Sequence, residues 1–276
     1  MNTSTSFPPG LLLLSDSALP LGSFAFSSGL ESYLAHHPAP SHQSTSLISS
    51  FLALSIASIS STTLPYVVAA YRDPVGLTRF DNDLDASTTC IVARRASIAQ
   101  GRALLSVWEK ALRAAGPQPT TNGTSGEDEL EKDVANRSRT ASRVLSNFSR
   151  LLRAPESSAS TQAPTAFSSP PSPNGHLPSL WALVCLTQSL TLADTVYIFL
   201  FNHARAVLSA AVRAGVLGPY QSQSVLASDW LQSRINEGVR KVIDSELKVV
   251  DAAQTVVSMD LWGGRHELLY TRIFNS

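Results

Sequence analysis

Apolar residues recur at intervals of three and four along most of this chain, which is the spacing of one face of an α-helix. In the stretch 83–115, for example, Ile91, Ile98 and Leu105 lie seven residues apart. The pattern of a β-hairpin, two alternating runs joined by an Asn-Gly or Asp-Gly turn, does not occur. We therefore predict an all-α protein, a single-domain bundle of about eight to ten helices across residues 1–276.

The window 11–33 holds the densest combination of helix and turn signals. Its four-leucine run is too short to span a membrane and predicts a first helix. Pro20 and Gly22 then predict a turn that presents Phe24, because proline fixes its own φ and glycine reaches dihedrals that other residues avoid. We expect a second helix to begin there, capped by Ser27 or Ser28, because Glu31 follows Ser28 by three residues, which is the spacing of a capping box.

Two further helical stretches carry features that set their boundaries. Pro65 in the stretch 46–70 predicts the start of a separate helix, since proline is tolerated in a first helical turn. The longest predicted helix covers 83–115, with the acidic residues of 81–85 at its N-terminal end, where the helix dipole favours negative charge. Gly101 lowers the stability of this helix by about 1 kcal/mol relative to alanine, so we interpret it as the site of a close crossing.

Two segments, 116–128 and 154–178, are poor in apolar residues and rich in Pro, Ser, Thr and Gly. They are predicted to be flexible low-complexity inserts, and deletion of 154–175 should leave folding and partner binding intact. The helix predicted between them, 130–153, is rich in arginine but has a single aromatic residue. We interpret its arginines as a solvated face rather than an RNA site.

Residues 258–276 are predicted to be a C-terminal docking tail. Gly263 and Gly264 should interrupt any helix there. Beyond them, large apolar side chains stand on a terminus that would otherwise fray, which favours a partner surface. These side chains are Leu268, Leu269, Tyr270, Ile273 and Phe274.

Composition narrows the possible functions. The chain carries 21 basic and 21 acidic residues, so its zero formal charge removes the positive surface expected of a nucleic-acid-binding protein. Cys90 and Cys185 form no CxxC pair, which favours a reducing compartment. No basic residue precedes the leucine run, so we expect no secretory peptide and a cytoplasmic location. The most apolar window, 180–201, contains Gln188 and Asp194, so a buried hairpin is preferred to a membrane span.

The sequence holds no recognised catalytic motif: a P-loop, GxGxxG, HExxH and GxSxG are all missing. His36 and His37 are adjacent on a helix, so they point about 100° apart and are poorly placed to share a metal ion. Ser, His and Asp residues exist, but nothing in their spacing indicates a triad. We predict no enzyme activity and no catalytic, cofactor-binding or metal site.

Four segments resemble the UreF family of urease accessory proteins. The sequence SDSALPLGSFAFSSGLE at 15–31 is similar to the family's N-terminal signature, and Arg94, Ser97 and Gly101 match its RxxSxxxG helix. VLSAAVRAGVLGP at 207–219 is similar to a third family segment, and the end of the chain resembles a HExxYxRLFxS run. The matches lie at both ends of the chain and in two interior helices.

The resemblance implies an all-helical, non-enzymatic assembly factor that forms a homodimer, binds the accessory protein UreD (also called UreH) and recruits the GTPase UreG, so that nickel is delivered into apo-urease. Nickel would transit the complex without a stably bound cofactor, and neither nucleic acid nor membrane is an expected partner. Two alternatives stay open: an enzyme of unrecognised chemistry, and a regulator that stimulates GTP hydrolysis on UreG with an arginine finger. The partner-interface candidates are Asp16, Pro20, Gly22, Phe24, Glu31, Arg94, Arg102, His266, Glu267, Tyr270, Arg272 and Phe274.

By the same resemblance the tail is expected to bind UreD. Removing Arg265 to Ser276 should then abolish UreD binding while the helical core stays folded. Arg94, Arg95, Arg102 and Arg205 are interpreted as interface or structural residues rather than fingers, because they lie on helices that also carry apolar stripes.

Overall fold

The computed structural model of the chain describes residues 9–37, 43–114, 128–154, 172–245 and 247–275. All regular elements within these ranges are helical, which confirms the predicted all-α class. The predicted insert at 116–128 lies outside the described residues except for its last residue, which begins a helix.

The described residues form twelve α-helices, more than the expected number, because the stretch 83–115 divides and several short segments are helical. In chain order they are α1 (Pro9–Ser15), α2 (Leu30–His36), α3 (Ser44–Thr62), α4 (Leu64–Arg72), α5 (Leu77–Ser87), α6 (Ile91–Val107), α7 (Asp128–Arg153), α8 (Leu177–Thr187), α9 (Leu192–Arg213), α10 (Pro219–Leu226), α11 (Asp229–Asp244) and α12 (Val257–Arg265). Pro65 lies in the first turn of α4, as predicted. Helix α6 continues into one π-helical turn, Trp108–Leu112.

Helix α8 lies at the centre of the core. All of its residues after Leu177 are buried, as expected of a helix that is apolar on every side. Helices α4, α6 and α7 pack around it, and α9 packs against α3, α10 and α11. Because α8 and α9 also touch each other, the two groups of helices share one continuous core.

Two stretches, Ser44–Arg72 and Leu192–Arg213, are long and apolar enough to cross a membrane by length and composition alone. In their most apolar windows, 39% and 56% of the residues are buried inside the protein. Core helices of globular proteins meet the same criteria, so this observation is weak evidence for a membrane span.

The long helix predicted over 83–115 is wrong at its start. Helix α5 ends at Ser87, three residues are not helical, and α6 begins at Ile91. The hydroxyls of Ser87 and Thr88 both donate to the carbonyl of Leu84, at 3.1 and 2.7 Å, and such local bonds compete with the continuation of a helix. The acidic residues of 81–85 therefore lie within α5 and not at the N-terminus of α6.

The expected interruption at Gly263 and Gly264 is also wrong, because α12 runs through both. A Cβ atom on Gly263 would lie 3.2 Å from the Cys90 sulfur, and one on Gly29 would lie 3.4 Å from the Gly263 nitrogen. Close packing against α2 and α6 thus overrides the low helix propensity of glycine.

The second predicted insert, 154–178, ends earlier than expected. Residues 155–171 lie outside the described residues, but 172–178 are described, and Gly175, His176 and Pro178 are buried. Pro178 belongs to the first turn of α8. A deletion that reaches Gly175 would therefore remove part of the core, and we no longer expect it to be neutral.

Candidate functional site

The N-terminal turn, residues 16–29, connects α1 to α2. Gly22 has a φ of +70°, which is the left-handed conformation that the sequence predicts for this position. The predicted capping box is not formed, because Gly29, with a φ of +85°, is the N-cap residue of α2. The hydroxyl of Ser27, one of the two predicted capping serines, nevertheless accepts the backbone N–H of Glu31 at 3.3 Å. The carboxylate of Glu31 instead contacts the C-terminal tail.

This turn forms one wall of a cavity of about 420 Å³. Phe24 and Phe26 line it from the turn, and α3, α5, α6, α8, α9 and α12 supply most of the other walls. Most of the lining is apolar, and His203 and Arg205 of α9 are among its polar residues. The N-terminal segment therefore does more than fill the core, because it forms one wall of a cavity that is partly open to solvent.

A Ser-His pair lines this cavity, but its chemistry does not suit catalysis. The Oγ of Ser55 lies 2.7 Å from Nε2 of His203. Burial lowers the pKa of His203 from 6.5 to about 4, so the ring is neutral near pH 7. A general base with so low a pKa is weak, and we interpret the pair as a hydrogen bond that joins α3 to α9.

The described residues contain no group of three or more His, Cys, Asp or Glu side chains arranged to hold a metal ion. The rings of His36 and His37 lie 2.7 and 2.9 Å from backbone carbonyls of their own helix, at Ser32 and Tyr33. Cys185 is buried, which raises the pKa of its thiol and leaves it protonated at neutral pH.

The C-terminal tail, residues 266–275, folds back onto the N-terminal turn and is held by Glu31. One Glu31 oxygen accepts a hydrogen bond from the backbone N–H of Ile273 at 2.6 Å. The other faces Nε2 of His266 at 2.9 Å and the backbone N–H of Phe274 at 3.2 Å. We call these four residues, Glu31, His266, Ile273 and Phe274, the tail seat.

Further contacts surround the tail seat. Phe274 is buried, with the Arg213 guanidinium 4.5 Å from its ring centroid, and the N–H of Asn275 donates to Ala25 O at 2.8 Å. Arg95 bonds Glu267 at 2.5 Å and the carbonyl of Asn275 at 3.0 Å.

Arg272 bonds the other oxygen of Glu267 at 2.7 Å. These two arginines, Arg95 first, lower the pKa of the Glu267 carboxyl. The tail is thus tied to α2, α6, α9 and the N-terminal turn.

The seated tail leaves apolar side chains in solvent. Leu268 is 79% exposed, Ile273 is 66% exposed and Tyr270 is fully exposed. Phe24 on the N-terminal turn is 69% exposed. Leu268, Tyr270 and Ile273 lie within six residues of one another in the chain, so the tail offers several exposed apolar side chains close together, where a partner could cover them.

The RxxSxxxG residues of α6 lie away from the tail seat and pack against the segment that leads into α8. Asp81 accepts the backbone N–H groups of Asn174, Gly175 and His176 at 2.6 to 3.1 Å. The buried ring of His176 lies 3.1 Å from Ser97 Oγ, which also accepts the N–H of Leu177 at 3.3 Å.

The other nitrogen of His176 lies 3.0 Å from Asp85, and Arg94 bonds the same carboxylate at 2.5 and 2.9 Å. Arg94 and then His176 lower the pKa of Asp85. A Cβ on Gly101 would lie 2.6 Å from Leu177 N and closer still to Gly175 O. The predicted close approach at Gly101 is present, with the chain entering α8.

Some of the remaining partner-interface candidates are exposed to solvent, and others are hydrogen-bonded within the chain. Asp16 and Pro20 lie on the exposed rim of the N-terminal turn. Arg102 donates to the carbonyl of Asn174 at 2.8 Å. Arg205 donates to the carbonyl of Ser15 and, at 2.9 Å, to Asn202 Oδ1. The structure therefore brings Glu31, His266 and Phe274 together, and it places Arg94 and Arg102 at the α8 entry.

Sequence reasoning missed the roles of His176 and Asp81. His176 falls in a Pro- and Ser-rich segment, and nothing local indicates that it is buried. Its partners lie 79 and 91 residues away in sequence. The RxxSxxxG motif was the one sequence signal for this part of α6. It did not indicate that these residues contact the segment around His176.

Comparison of the sequence with known proteins finds matches to urease accessory proteins. The UreF family model matches residues 46–228. A protein from Schizosaccharomyces pombe described as an uncharacterized urease accessory protein UreF-like is 34% identical over 265 residues, which cover 96% of this chain and 95% of that protein.

Urease accessory protein 6 from Cryptococcus neoformans is 25% identical, with 96% of each chain covered. Urease accessory protein F from Oryza sativa subsp. indica is 26% identical over 95% of this chain and 82% of its own length. The family model covers more than half of the chain, and the chain belongs to the UreF family of urease accessory proteins.

Proposed function

We propose that this chain acts in urease maturation as a non-catalytic scaffold that holds UreD/UreH and the GTPase UreG in one complex, through which nickel reaches apo-urease. Family membership supports the role in urease maturation. The absence of a recognised catalytic motif in the sequence favours a scaffold over an enzyme. We place the protein in the cytoplasm, as a homodimer, with nickel as cargo and not as a resident cofactor.

The observation that carries the proposal is the seated tail. A free terminus with exposed Leu268, Tyr270 and Ile273 would fray, but here four elements of the chain hold it in one conformation. Ordered apolar side chains at a protein surface are suited to a protein partner. We assign this surface to UreD/UreH.

For UreG, the contacts of four helical arginines favour holding over an arginine finger at these positions. A finger must project free of the chain to reach a transferring phosphate. Arg94 is paired with Asp85, Arg95 with Glu267, and Arg102 and Arg205 with backbone carbonyls of this chain. Each of these side chains is already engaged in holding its own fold together.

Size-exclusion chromatography with multi-angle scattering tests the scaffold. Mixed with purified UreD/UreH and UreG, the wild-type chain should elute in one complex that contains all three proteins. The variant Leu268→Ser/Ile273→Ser removes two exposed tail side chains and should lose UreD/UreH. The matched variant Ile243→Ser/Val250→Ser changes two exposed aliphatic residues elsewhere, 59% and 85% exposed, and should keep the complex. Equal loss in both variants, or in neither, would contradict the assignment.

A further inference from the structure

We propose that three arginines on the outer face of α7 form a docking surface for an acidic protein partner. These residues, Arg139, Arg143 and Arg150, are called the arginine stripe below. This surface deepens the proposed function and rests on it only for the identity of the partner, which would be the component of the urease maturation complex that presents an acidic face.

The arginine stripe lies on one face of α7 because of the spacing of its members. In an α-helix, residues that are four, seven or eleven positions apart point within about 40° of one another. Arg139 and Arg150 are therefore about 16 Å apart along the helix axis, with Arg143 between them. All three are exposed, whereas Leu145 and Phe148 on the inner face are buried in the core.

The arginine stripe has no negative charge of its own to balance it. Residues 134–153 contain neither Asp nor Glu. Among the residues that the structure describes, no carboxylate forms an ion pair with the stripe, whereas the exposed Arg79, Arg95 and Arg272 each have such a partner. Three unbalanced guanidinium groups along one helix therefore present a local positive surface on a chain whose formal charge is zero.

Helix stability does not account for the arginine stripe. The helix dipole favours positive charge in the last turn, which includes Arg150 but not Arg139 or Arg143. Like charges four residues apart, as at Arg139 and Arg143, slightly destabilise a helix. A role outside the helix gives these two side chains a purpose that the folded chain itself does not.

Two asparagines hold the outer members of the stripe in place. The sequence Asn-x-Ser-Arg occurs twice, at 136–139 and at 147–150. Asn136 Oδ1 accepts a hydrogen bond from Arg139 Nη1 at 2.8 Å, and Asn147 Oδ1 accepts one from Arg150 Nη2. Each guanidinium keeps its other N–H donors for a partner. Side chains that are already held lose less conformational freedom on binding, which favours affinity.

The surroundings of the stripe favour a protein over a membrane or a nucleic acid. A helix that lies on a membrane buries its apolar face in lipid, but the apolar face of α7 is buried inside the protein, where α7 packs against α8. Single-stranded nucleic acids stack on aromatic side chains, and the one aromatic residue of α7, Phe148, is 1% exposed. Carboxylates match the planar guanidinium fork and accept two parallel N–H groups from it, so Asp and Glu are the complementary side chains.

Nuclear magnetic resonance on the isotope-labelled full-length chain tests whether the stripe recognises carboxylates. The probe is a synthetic alanine-rich helix with glutamates at the spacing of the stripe. Its control has the same composition, with the glutamates distributed around the helix. The first peptide should shift the side-chain Nε–H signals of the stripe, and the control should bind at least about tenfold more weakly. Equal binding of both peptides, or shifts spread over the whole surface, would overturn the proposal.

Heparin fragments and phosphatidylserine vesicles decide between classes of partner. At about physiological salt, the glutamate helix should bind the stripe more tightly than heparin fragments of equal charge or the vesicles. Tighter binding of heparin would make the stripe a site for polyanions, and tighter binding of the vesicles would make it a membrane contact. Either result would overturn the assignment to a protein.

Biosensor measurements with purified UreD/UreH, UreG and apo-urease, each presented separately, test the stripe in the proposed complex. The stripe variant is R139Q/R143Q/R150Q. The matched control, R234Q/R240Q/K241Q, removes three exposed positive charges from α11. Circular dichroism should show that both are folded, because all six side chains are exposed.

We expect wild type and the control variant to bind one component equally well. The stripe variant should bind that component at least about tenfold more weakly, mainly through slower association, and the difference should shrink as salt is raised. Equal affinity of the stripe and control variants for every component would refute the stripe as an interface. If the wild-type chain bound none of them, the proposed function would be at fault, and the peptide experiment would still decide what the stripe recognises.

Discussion

At Gly101 the backbone of α6 touches the segment that enters α8, and this contact leaves no room for a side chain. Gly101→Ala should destabilise the protein by about 1 to 3 kcal/mol, because the new methyl group would meet backbone atoms that cannot move independently. Gly264→Ala is the matched control, since Gly264 is also helical but faces open space, and it should be neutral or slightly stabilising. Urea denaturation of both variants measures the difference. Equal stability would show that the entry to α8 is looser than described.

His203 makes stability depend on pH. Its pKa is 6.5 when the chain is unfolded and about 4 in the folded protein, so between these values the unfolded state binds the extra proton. Stability should therefore fall as pH drops from 6.5 to 4, by at most about 1.4 kcal/mol per pH unit from this group. Urea denaturation at pH 7, 6 and 5 measures the free energy of unfolding. This free energy should change less with pH for His203→Gln than for wild type. Identical slopes would mean that His203 is protonated without penalty in the folded state.

At the scale of elements, Asp81 joins α5 to the start of α8. Its buried carboxylate accepts three consecutive backbone N–H groups, and Asp81→Asn would replace one acceptor oxygen by an amide that cannot accept. We expect a loss of about 2 to 3 kcal/mol. Asp83→Asn changes an exposed carboxylate on the same helix and should have little effect. Thermal denaturation followed by circular dichroism distinguishes them, and similar melting temperatures would contradict the assigned role.

The sequence predicted elements well where their cause is local. Pro65 marks the first turn of α4 because proline acts on its own backbone, and Gly22 takes a left-handed φ for the same kind of reason. Predictions were wrong where distant residues decide. Glu31 has capping-box spacing, yet its carboxylate is used by a tail 235 residues away, and the helix through Gly263 forms because α2 and α6 pack against it.

At the scale of the whole molecule, the scaffold and GTPase-activator hypotheses assign different roles to the arginines of this chain. In a scaffold they hold the fold or an interface, whereas an activator uses one of them at the transferring phosphate. Single alanine substitutions at Arg94, Arg95, Arg102 and Arg205 should weaken complex formation modestly or not at all. None should reduce saturated GTP turnover by UreG by the roughly thousandfold expected for a lost arginine finger. GTPase assays at normal complex stoichiometry measure this. A thousandfold fall for any one variant would make that residue a finger and the chain an activator.

At the scale of the whole molecule, the sequence indicated which segments form the candidate site but not how they are arranged. The two segments that form it, 15–31 and the C-terminal tail, are two of the four segments whose sequences resemble the family. That they meet depends on long-range packing around α8 and α9, which no local pattern encodes. The exposed fractions of Leu268, Tyr270 and Ile273 likewise follow only from the folded tail.

If the seated tail is the partner surface through which this chain supports urease maturation, removing its exposed apolar side chains should impair urease activation. The most direct measurement is urease activity after reconstitution from apo-urease, UreD/UreH, UreG, nickel and GTP, with the wild-type chain or a variant added. We predict that Leu268→Ser/Ile273→Ser lowers activation at least about tenfold, whereas Ile243→Ser/Val250→Ser supports activation at the wild-type level. Full activation by a folded Leu268→Ser/Ile273→Ser protein would contradict the account.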